Sequence, residues 1–363
     1  MPKLANRGWL AIALLLSMTG SKPEPGGPDP VDRGGTILPV SAPRRVFVSG
    51  HSLTDHPFPD YLAAIGGTGP EGYAWNMQHL FGSSVRERSS AQAGAGFRRG
   101  IDRHGQSIDV LRELRTAAPA YDALILAEQH TLLDGLVWQD TIGSALDYEA
   151  RFHAANPHGR AFLFTSWMDL DNVEDPQRWI HYERAAALGW RCTASLINRS
   201  MAARGTDRRI DLIPAAEGLA ALVSAAAAGR LSRIGIDDLF ADKVHLTAAG
   251  SYYVALLSHG VLHGGLPARI WTPKEVQPHM AQALQQFARA FLLGLPNGVP
   301  ELEEADCMAY LARFAPHYLS YVRDVRWKEG GRVKAYLRWV RLRLAWPNLF
   351  RSRSSANPVR IRT

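Results

Sequence analysis

Residues 45–53 read Arg-Val-Phe-Val-Ser-Gly-His-Ser-Leu, a run of branched and aromatic residues that ends in a glycine-containing turn. Such a run predicts a buried strand. Ser52 comes directly after this strand, at the carboxyl end. In a doubly wound α/β sheet ligands bind at that edge, so the turn can present the Ser52 hydroxyl to solvent. A serine in a glycine-containing loop is also a common structural feature, so the motif alone decides nothing.

Apolar β-rich runs alternate with longer helical stretches along the chain, a pattern typical of a parallel sheet covered on both faces. We therefore predict an α/β fold with three α/β/α layers and a flavodoxin-like, doubly wound parallel sheet of about five strands. Further strands are predicted near residues 84–88, 123–127, 161–165 and 209–213. Helices are predicted around Tyr61, at 108–114, 147–155, 181–203 and 248–262, and from Thr272 onward, with a kink or a restart at Pro278.

A second motif follows the last predicted strand, where residues 241–247 read Ala-Asp-Lys-Val-His-Leu-Thr. A serine hydroxyl is a weak nucleophile until a base removes its proton, and a neutral imidazole is suited to that task. The imidazole in turn needs a carboxylate that orients it and stabilises its charged form. Asp242 and His245 can form such a pair. The structural alternative is that Asp242 is a turn residue and His245 a helix-entry residue.

Together the two motifs resemble those of the SGNH, or GDSL-like, hydrolase superfamily of serine esterases. Its nucleophile motif is matched by residues 50–53, Gly-His-Ser-Leu, and its closing Asp-x-x-His block by Asp242 and His245. The resemblance covers roughly residues 45–262. It implies a catalytic triad of Ser52, Asp242 and His245 that works without a cofactor.

The resemblance also implies an oxyanion hole, in which backbone N–H groups stabilise the developing negative charge. In the family, a glycine in the second block contributes one N–H and the nucleophilic serine, here Ser52, contributes another. Gly94 is our choice for that glycine, and Gly96 is the alternative. Both are equally compatible with an ordinary loop.

The third block departs from the family pattern, because residues 128–130 read Glu-Gln-His where the family usually has Gly-x-Asn-Asp. The side-chain amide of Gln129 can replace the missing asparagine as a donor. An ionised Glu128 opposes an oxyanion unless it points away or pairs with a cation. His130 is a candidate substrate-binding residue, although a lone histidine more often has a structural role.

The fourth predicted strand leads into Trp167, which is the candidate apolar surface for a sugar ring, with Trp179 and Trp138 as alternatives. Tryptophan is equally good core material. Asp169 and Asp171 follow on the same loop, where carboxylates are usually solvated. We therefore predict no metal site.

The N-terminus is typical of an export signal, because Lys3 and Arg7 precede the apolar residues 9–18, which are too few to span a bilayer comfortably. The cleavage site is poor, so an uncleaved interfacial anchor is the alternative. We predict an exported protein, periplasmic or secreted. The predicted domains are an export signal or anchor (1–20), a Pro/Gly-rich linker (21–43), an SGNH-like hydrolase domain (44–294) and a basic helical C-terminal extension (295–363).

Charge is concentrated in that extension. The chain carries a net charge of +7, yet from Arg323 onward twelve Lys or Arg residues face two acidic ones, which leaves −3 for the rest. A basic tail can bind anionic membrane surfaces or acidic polymers, and nucleic acid is not expected. Five apolar residues recur there at helical spacing: Val333, Tyr336, Leu337, Val340 and Leu344. We favour a helix that packs this face on the body over one that lies on a membrane.

Cys192 and Cys307 are the two cysteines, and their spacing excludes a zinc site of the CxxC type. One disulfide is possible in an oxidising compartment, but two separate thiols is the simpler interpretation.

The function expected from these features is hydrolysis of an acyl ester, and an acetyl ester on a carbohydrate is our first candidate. A second hypothesis keeps the site and replaces water by a sugar hydroxyl, which makes the protein a cell-envelope O-acyltransferase. A third is a non-catalytic glycan-binding protein on the same scaffold, because a fold does not fix a function.

Overall fold

The structure is a computed structural model that describes residues 45–67, 72–89, 100–116, 119–231, 234–352, 354 and 356–362. The predicted export signal, the predicted linker and the two candidate oxyanion glycines, Gly94 and Gly96, lie outside the described residues. Among the helices of the described part, none has the length and apolar character that a bilayer-spanning helix needs.

In the described part of the chain, seven strands form one mixed sheet in the order β4-β3-β2-β1-β5-β6-β7. The strands are β1 (Arg45–Gly50), β2 (Ala74–His79), β3 (Gly100–Asp102), β4 (Ser107–Ile108), β5 (Ala123–Ala127), β6 (Arg160–Phe164) and β7 (Ile210–Ile213). The α/β class is therefore as predicted, but the number of strands is wrong. The five strands β2, β1, β5, β6 and β7 are parallel, and β3 and β4 add an antiparallel hairpin beside β2.

Helices connect and cover these strands. They are α1 (Phe58–Gly66), α2 (Val85–Ser89), α3 (Val110–Thr116), α4 (Leu132–Trp138), α5 (Thr141–Ala155), α6 (Gln177–Ala203), α7 (Ala215–Ala227), α8 (Ala248–His263), α9 (Pro278–Leu293), α10 (Glu304–Val325) and α11 (Arg332–Arg351). The connection from β1 to β2 runs in the opposite direction from those between β5, β6 and β7. Since parallel crossovers are right-handed, α1 lies on one face of the sheet, and α5 and α6 lie on the other. Helix α8 packs against α1, which completes the three layers.

The order of strands reverses between β1 and β5, and this reversal places the candidate site. Ligands bind at such a switch point, just beyond the carboxyl ends of the strands. Ser49 of β1 pairs with Leu126 of β5, and Ala127 pairs with Phe164 of β6. The loops that follow all three strands therefore leave the sheet at one edge.

The second predicted strand is wrong, because Val85–Ser89 forms α2 and the strand lies earlier, at β2. Two polar residues, Asn76 and Gln78, interrupt the apolar run of β2 and conceal it in the sequence. Both are buried and satisfied by distant partners. The Asn76 amide donates to the Tyr121 hydroxyl (2.7 Å), and the Ser49 hydroxyl donates to Gln78 Oε1 (2.8 Å).

The start of α9 also differs from the prediction, since the helix begins at Pro278 rather than at Thr272. Proline disfavours helical dihedrals in the residue before it. Gln277 is accordingly extended, and Pro278 takes the first helical position. Helix α8, by contrast, begins at Ala248 as predicted, and the Thr247 side chain caps it by accepting a hydrogen bond from the Gly250 N–H.

The C-terminal helices belong to the same compact unit as the sheet. A disulfide joins Cys192 of α6 to Cys307 of α10, so the interpretation as two separate thiols is wrong. The orientation of α11 is also contrary to the interpretation that we favoured. Its five predicted contact residues face solvent, and Ala335, Leu342, Trp346 and Phe350 are buried instead.

We expect replacement of both Cys192 and Cys307 by alanine to lower the free energy of unfolding by about 2–4 kcal/mol, because the disulfide closes a long loop in the unfolded chain. Urea unfolding with and without a reductant measures this. Reductant should destabilise the wild-type protein and leave the double variant unchanged. Equal sensitivity of both proteins to reductant would contradict the bond.

Candidate active site

A tight turn after β1 carries Ser52. A methyl group added at Gly50 would lie 1.8 Å from the Thr54 hydroxyl oxygen, so the turn needs glycine there. Ser52 opens a short 3₁₀ turn, Ser52–Thr54, and is half-buried. Within the described residues, the Ser52 N–H has no hydrogen-bond acceptor, so it is available to a bound oxygen atom.

The buried His51 side chain holds this turn in place through two hydrogen bonds. Its Nδ1 accepts from the Leu53 N–H (3.4 Å), so Nε2 carries the proton and donates to the Glu128 carbonyl oxygen (3.0 Å). Burial, reinforced by the positive charge of Arg88, lowers the pKa of His51 to about 3. The ring is therefore neutral and serves as a structural link between the ends of β1 and β5.

Asp242 and His245 lie on a narrow hairpin formed by residues 239–247, which we call the His245 hairpin. Phe240 and Leu246 form an antiparallel bridge, and the Ala241 N–H donates to the His245 carbonyl (2.8 Å). The Asp242 carboxylate accepts from the His245 N–H (2.7 Å) and from His245 Nδ1 (2.7 Å). The predicted pair is thus formed.

The hydrogen bonds at Asp242 determine the protonation of the pair. Partial burial alone raises the pKa of Asp242, but the N–H groups of His245 and Val244 and the His245 ring outweigh it and lower the pKa to about 2. The carboxylate is ionised at neutral pH and holds the proton on Nδ1 of His245. Nε2 is left as the basic nitrogen of the ring.

The loop after β6, residues 165–171, supports the His245 hairpin. The Trp167 indole N–H donates to the Val244 carbonyl (2.8 Å), and the Leu170 N–H donates to the Lys243 carbonyl (2.6 Å). Trp167 is fully buried, so it forms a wall of the site rather than the open stacking surface that we expected. Trp179 is a core residue.

Ser52 and His245 line one cavity of about 230 Å³, together with Trp167 and Phe81. The sequence motifs therefore meet at one edge of the sheet. In the described structure, no direct hydrogen bond joins the Ser52 hydroxyl to the His245 ring. Such bonds are commonly long before a substrate binds and shorten in the reacting complex.

The Glu128 carboxylate is turned away from this cavity. It is buried and accepts from the Gln129 N–H (2.7 Å), the Val85 N–H (3.1 Å) and the Thr141 hydroxyl (2.7 Å). Burial raises the pKa of Glu128, although the Thr141 hydrogen bond opposes this. The carboxyl group thus organises the loop after β5. The Gln129 side chain is half-buried there, and its role as an oxyanion donor stays a prediction.

His130 lies beyond His51, with ring centroids 6.3 Å apart. Burial, together with the charge of Arg326, lowers the pKa of His130 to about 3. The Arg326 guanidinium contacts His130 Nε2 and also forms an ion pair with Asp169 (3.0 Å). The C-terminal extension therefore reaches the rim of the site through Arg326.

We expected the carboxylates of the loop after β6 to be solvated, but both form ion pairs. Asp169 pairs with Arg326, and Asp171 lies 3.6 Å from the Arg178 guanidinium. Both carboxylates link this loop to neighbouring helices. Within the described ranges, no group of three or more His, Cys, Asp or Glu side chains is arranged to hold a metal ion.

Phe81 is a residue of the cavity that the sequence did not reveal. It follows β2, whose last residue, His79, pairs with Gly50. Its side chain is 73% exposed, and its ring centroid lies 6.4 Å from that of His245. Because β2 was predicted too late in the chain, Phe81 was not expected at this edge.

Comparison with protein-family models and with curated proteins gives no match. Among solved structures, the chain is similar to a DUF4886 family protein from Bacteroides uniformis, with 16% sequence identity and a TM-score of 0.48. The alignment covers 71% of this chain and 97% of the other. A likeness of this degree carries no argument about function.

Glu183 of α6 contacts the loop after β6, and its titration is expected to make the stability of the protein depend on pH. Its carboxyl group is buried and binds the Met168 N–H (2.6 Å), and burial raises its pKa to about 8. A carboxyl pKa raised by folding makes the wild-type protein lose stability as the pH rises from about 4 to above 8. Glu183→Gln removes this titration and keeps the acceptor oxygen.

We therefore expect Glu183→Gln to melt close to the wild-type Tm at about pH 5 and several degrees above it at about pH 9. Thermal melts at the two pH values measure the difference. A gap between variant and wild type that does not widen with pH would contradict the assignment.

Proposed function

We propose that this protein is a serine esterase of the SGNH type, with Ser52 as nucleophile, His245 as base and Asp242 as the residue that orients the base. The observation that carries the proposal is the cavity that Ser52 and His245 share, with His245 Nδ1 held 2.7 Å from Asp242. Two motifs almost two hundred residues apart in the sequence contribute to this single cavity.

The proposed reaction has two steps. Ser52 Oγ attacks the acyl carbon while its proton passes to His245 Nε2, and the oxyanion that forms is stabilised by the free Ser52 N–H. The ester C–O bond then breaks, and His245 returns the proton to the leaving alcohol. In the second step, water attacks the acyl-enzyme while its proton passes to His245. The bond to Ser52 Oγ then breaks, His245 returns the proton to Ser52, and the acid is released.

The substrate proposed is a small acyl ester, an acetyl group on a carbohydrate being the first candidate. A cavity of about 230 Å³ has room for a short acyl group. Phe81, exposed at its rim, offers an apolar surface to the alcohol part of the ester. Export from the cytosol, proposed from the N-terminal sequence, agrees with the Cys192–Cys307 disulfide, since such bonds persist in oxidising compartments.

We expect Ser52→Ala and His245→Ala to abolish hydrolysis of a chromogenic acetyl ester, and Asp242→Asn to lower kcat by roughly 10³–10⁴-fold. Asp242 is exposed, so its variant should fold normally. Initial rates and circular dichroism measure both effects. Ser107→Ala and His104→Ala, on the distant β3–β4 hairpin, are the matched controls and should retain wild-type rates.

The same assay separates the alternatives. Activity in Ser52→Ala at the wild-type level would contradict the triad. Absence of turnover in every protein, with retained affinity for glycans, would favour the binding protein. Transfer of acetyl groups to an added glycan in preference to water would assign the acyltransferase.

Phe81 provides a test of how the substrate is held. We expect Phe81→Ala to raise KM by roughly tenfold with a smaller change in kcat, because the ring contacts the bound ester and takes no part in the chemistry. Its exposure predicts an unchanged Tm. Phe81→Leu keeps much of the apolar surface, so its KM should lie between those of the wild-type protein and Phe81→Ala. A KM that is the same in all three proteins would exclude this contact.

A further inference from the structure

Helix α11 exposes a continuous apolar stripe. Its members are 37–73% exposed and are Val333, Tyr336, Leu337, Val340 and Leu344. At 3.6 residues per turn they span about 100° of the helix circumference. We call this surface the α11 stripe. It is not the face that attaches the helix, because the buried residues of α11 lie on the opposite side.

The attachment of α11 holds the stripe outward. Trp346 stacks against Tyr318 of α10 with ring centroids 5.9 Å apart. The Trp339 indole N–H donates to the Ser320 hydroxyl (3.1 Å), also on α10. Since these contacts fix the rotation of α11, turning the stripe inward would remove them. The exposure of the stripe is therefore a consequence of how the helix packs.

Cations flank the stripe on both sides, and α11 contains no acidic residue. By helical spacing, Lys334 and Arg341 lie along one side, and Arg332 and Arg343 lie along the other. All four are exposed, and none has an acidic partner within ion-pair distance in the described part of the chain. Trp138, 49% exposed, adjoins Leu337 and Arg341 at the edge of the stripe.

We propose that the α11 stripe docks on the surface of an anionic lipid bilayer. An apolar stripe between two rows of cations is the pattern of an interfacial helix, in which the apolar side chains enter the headgroup boundary while Lys and Arg contact anionic headgroups. A tryptophan at the edge suits the same interface. A second copy of the chain fits less well, because a symmetric contact would bring the two basic surfaces together.

Sedimentation with lipid vesicles tests the proposal on the full chain, so that any contribution of the N-terminal apolar run is common to all variants. The vesicles are phosphatidylcholine alone or with about a third phosphatidylglycerol. We expect the wild-type protein to bind the anionic vesicles more tightly. Leu337→Ser with Leu344→Ser should weaken this binding roughly tenfold, and Arg341→Gln with Arg343→Gln roughly twentyfold.

Matched controls are Leu293→Ser and Arg230→Gln, an exposed leucine and an exposed arginine outside the stripe, and both should bind like the wild-type protein. Wild-type binding that is equal on both vesicle types, or absent from the anionic ones, would overturn the proposal. So would binding that depends on the arginines and not on the leucines, which would indicate a site for an acidic polymer. Unchanged binding in both double variants would also overturn it.

Discussion

The hydrogen bond from the Trp167 indole to the Val244 carbonyl joins the His245 hairpin to the end of β6. Asp242 is exposed and His245 is half-buried, so burial of their own side chains does little to hold them in place. Their position depends on contacts to the backbone of the hairpin, made by Trp167 and by the Leu170 N–H. The geometry of the site therefore depends on the loop after β6, whose Met168 N–H donates a hydrogen bond to Glu183 of α6.

The sheet accounts for why two distant motifs meet. Right-handed crossovers in opposite directions from β1 and β5 leave a crevice at the carboxyl edge, where the loops after β1, β2, β5 and β6 begin. The His245 hairpin follows α7 and reaches this edge through its hydrogen bonds to the loop after β6. The buried ring of His51 bonds the ends of these two strands across the crevice. The nucleophile turn is thus tied to the end of β5 through the neutral imidazole of His51.

Local patterns predicted β1, β5 and the Asp242–His245 pair, because fully apolar runs and a close sequence spacing carry the information. They did not predict β2, since buried Asn76 and Gln78 are satisfied by residues far away in the chain. The helical spacing of the α11 stripe correctly predicted a helix, but periodicity does not say which face of a helix packs against the rest of the protein. There, Trp346 and its aromatic neighbours decide, and those contacts are visible only in the fold.

The central claim is that Asp242 and His245 activate the Ser52 hydroxyl. Covalent labelling with a fluorophosphonate, followed by peptide mass mapping, tests it without knowledge of the natural ester. The account predicts one adduct, on Ser52, that forms much more slowly in Asp242→Asn and is lost in His245→Ala. An adduct on a different residue, or labelling that persists unchanged in Ser52→Ala, would contradict it.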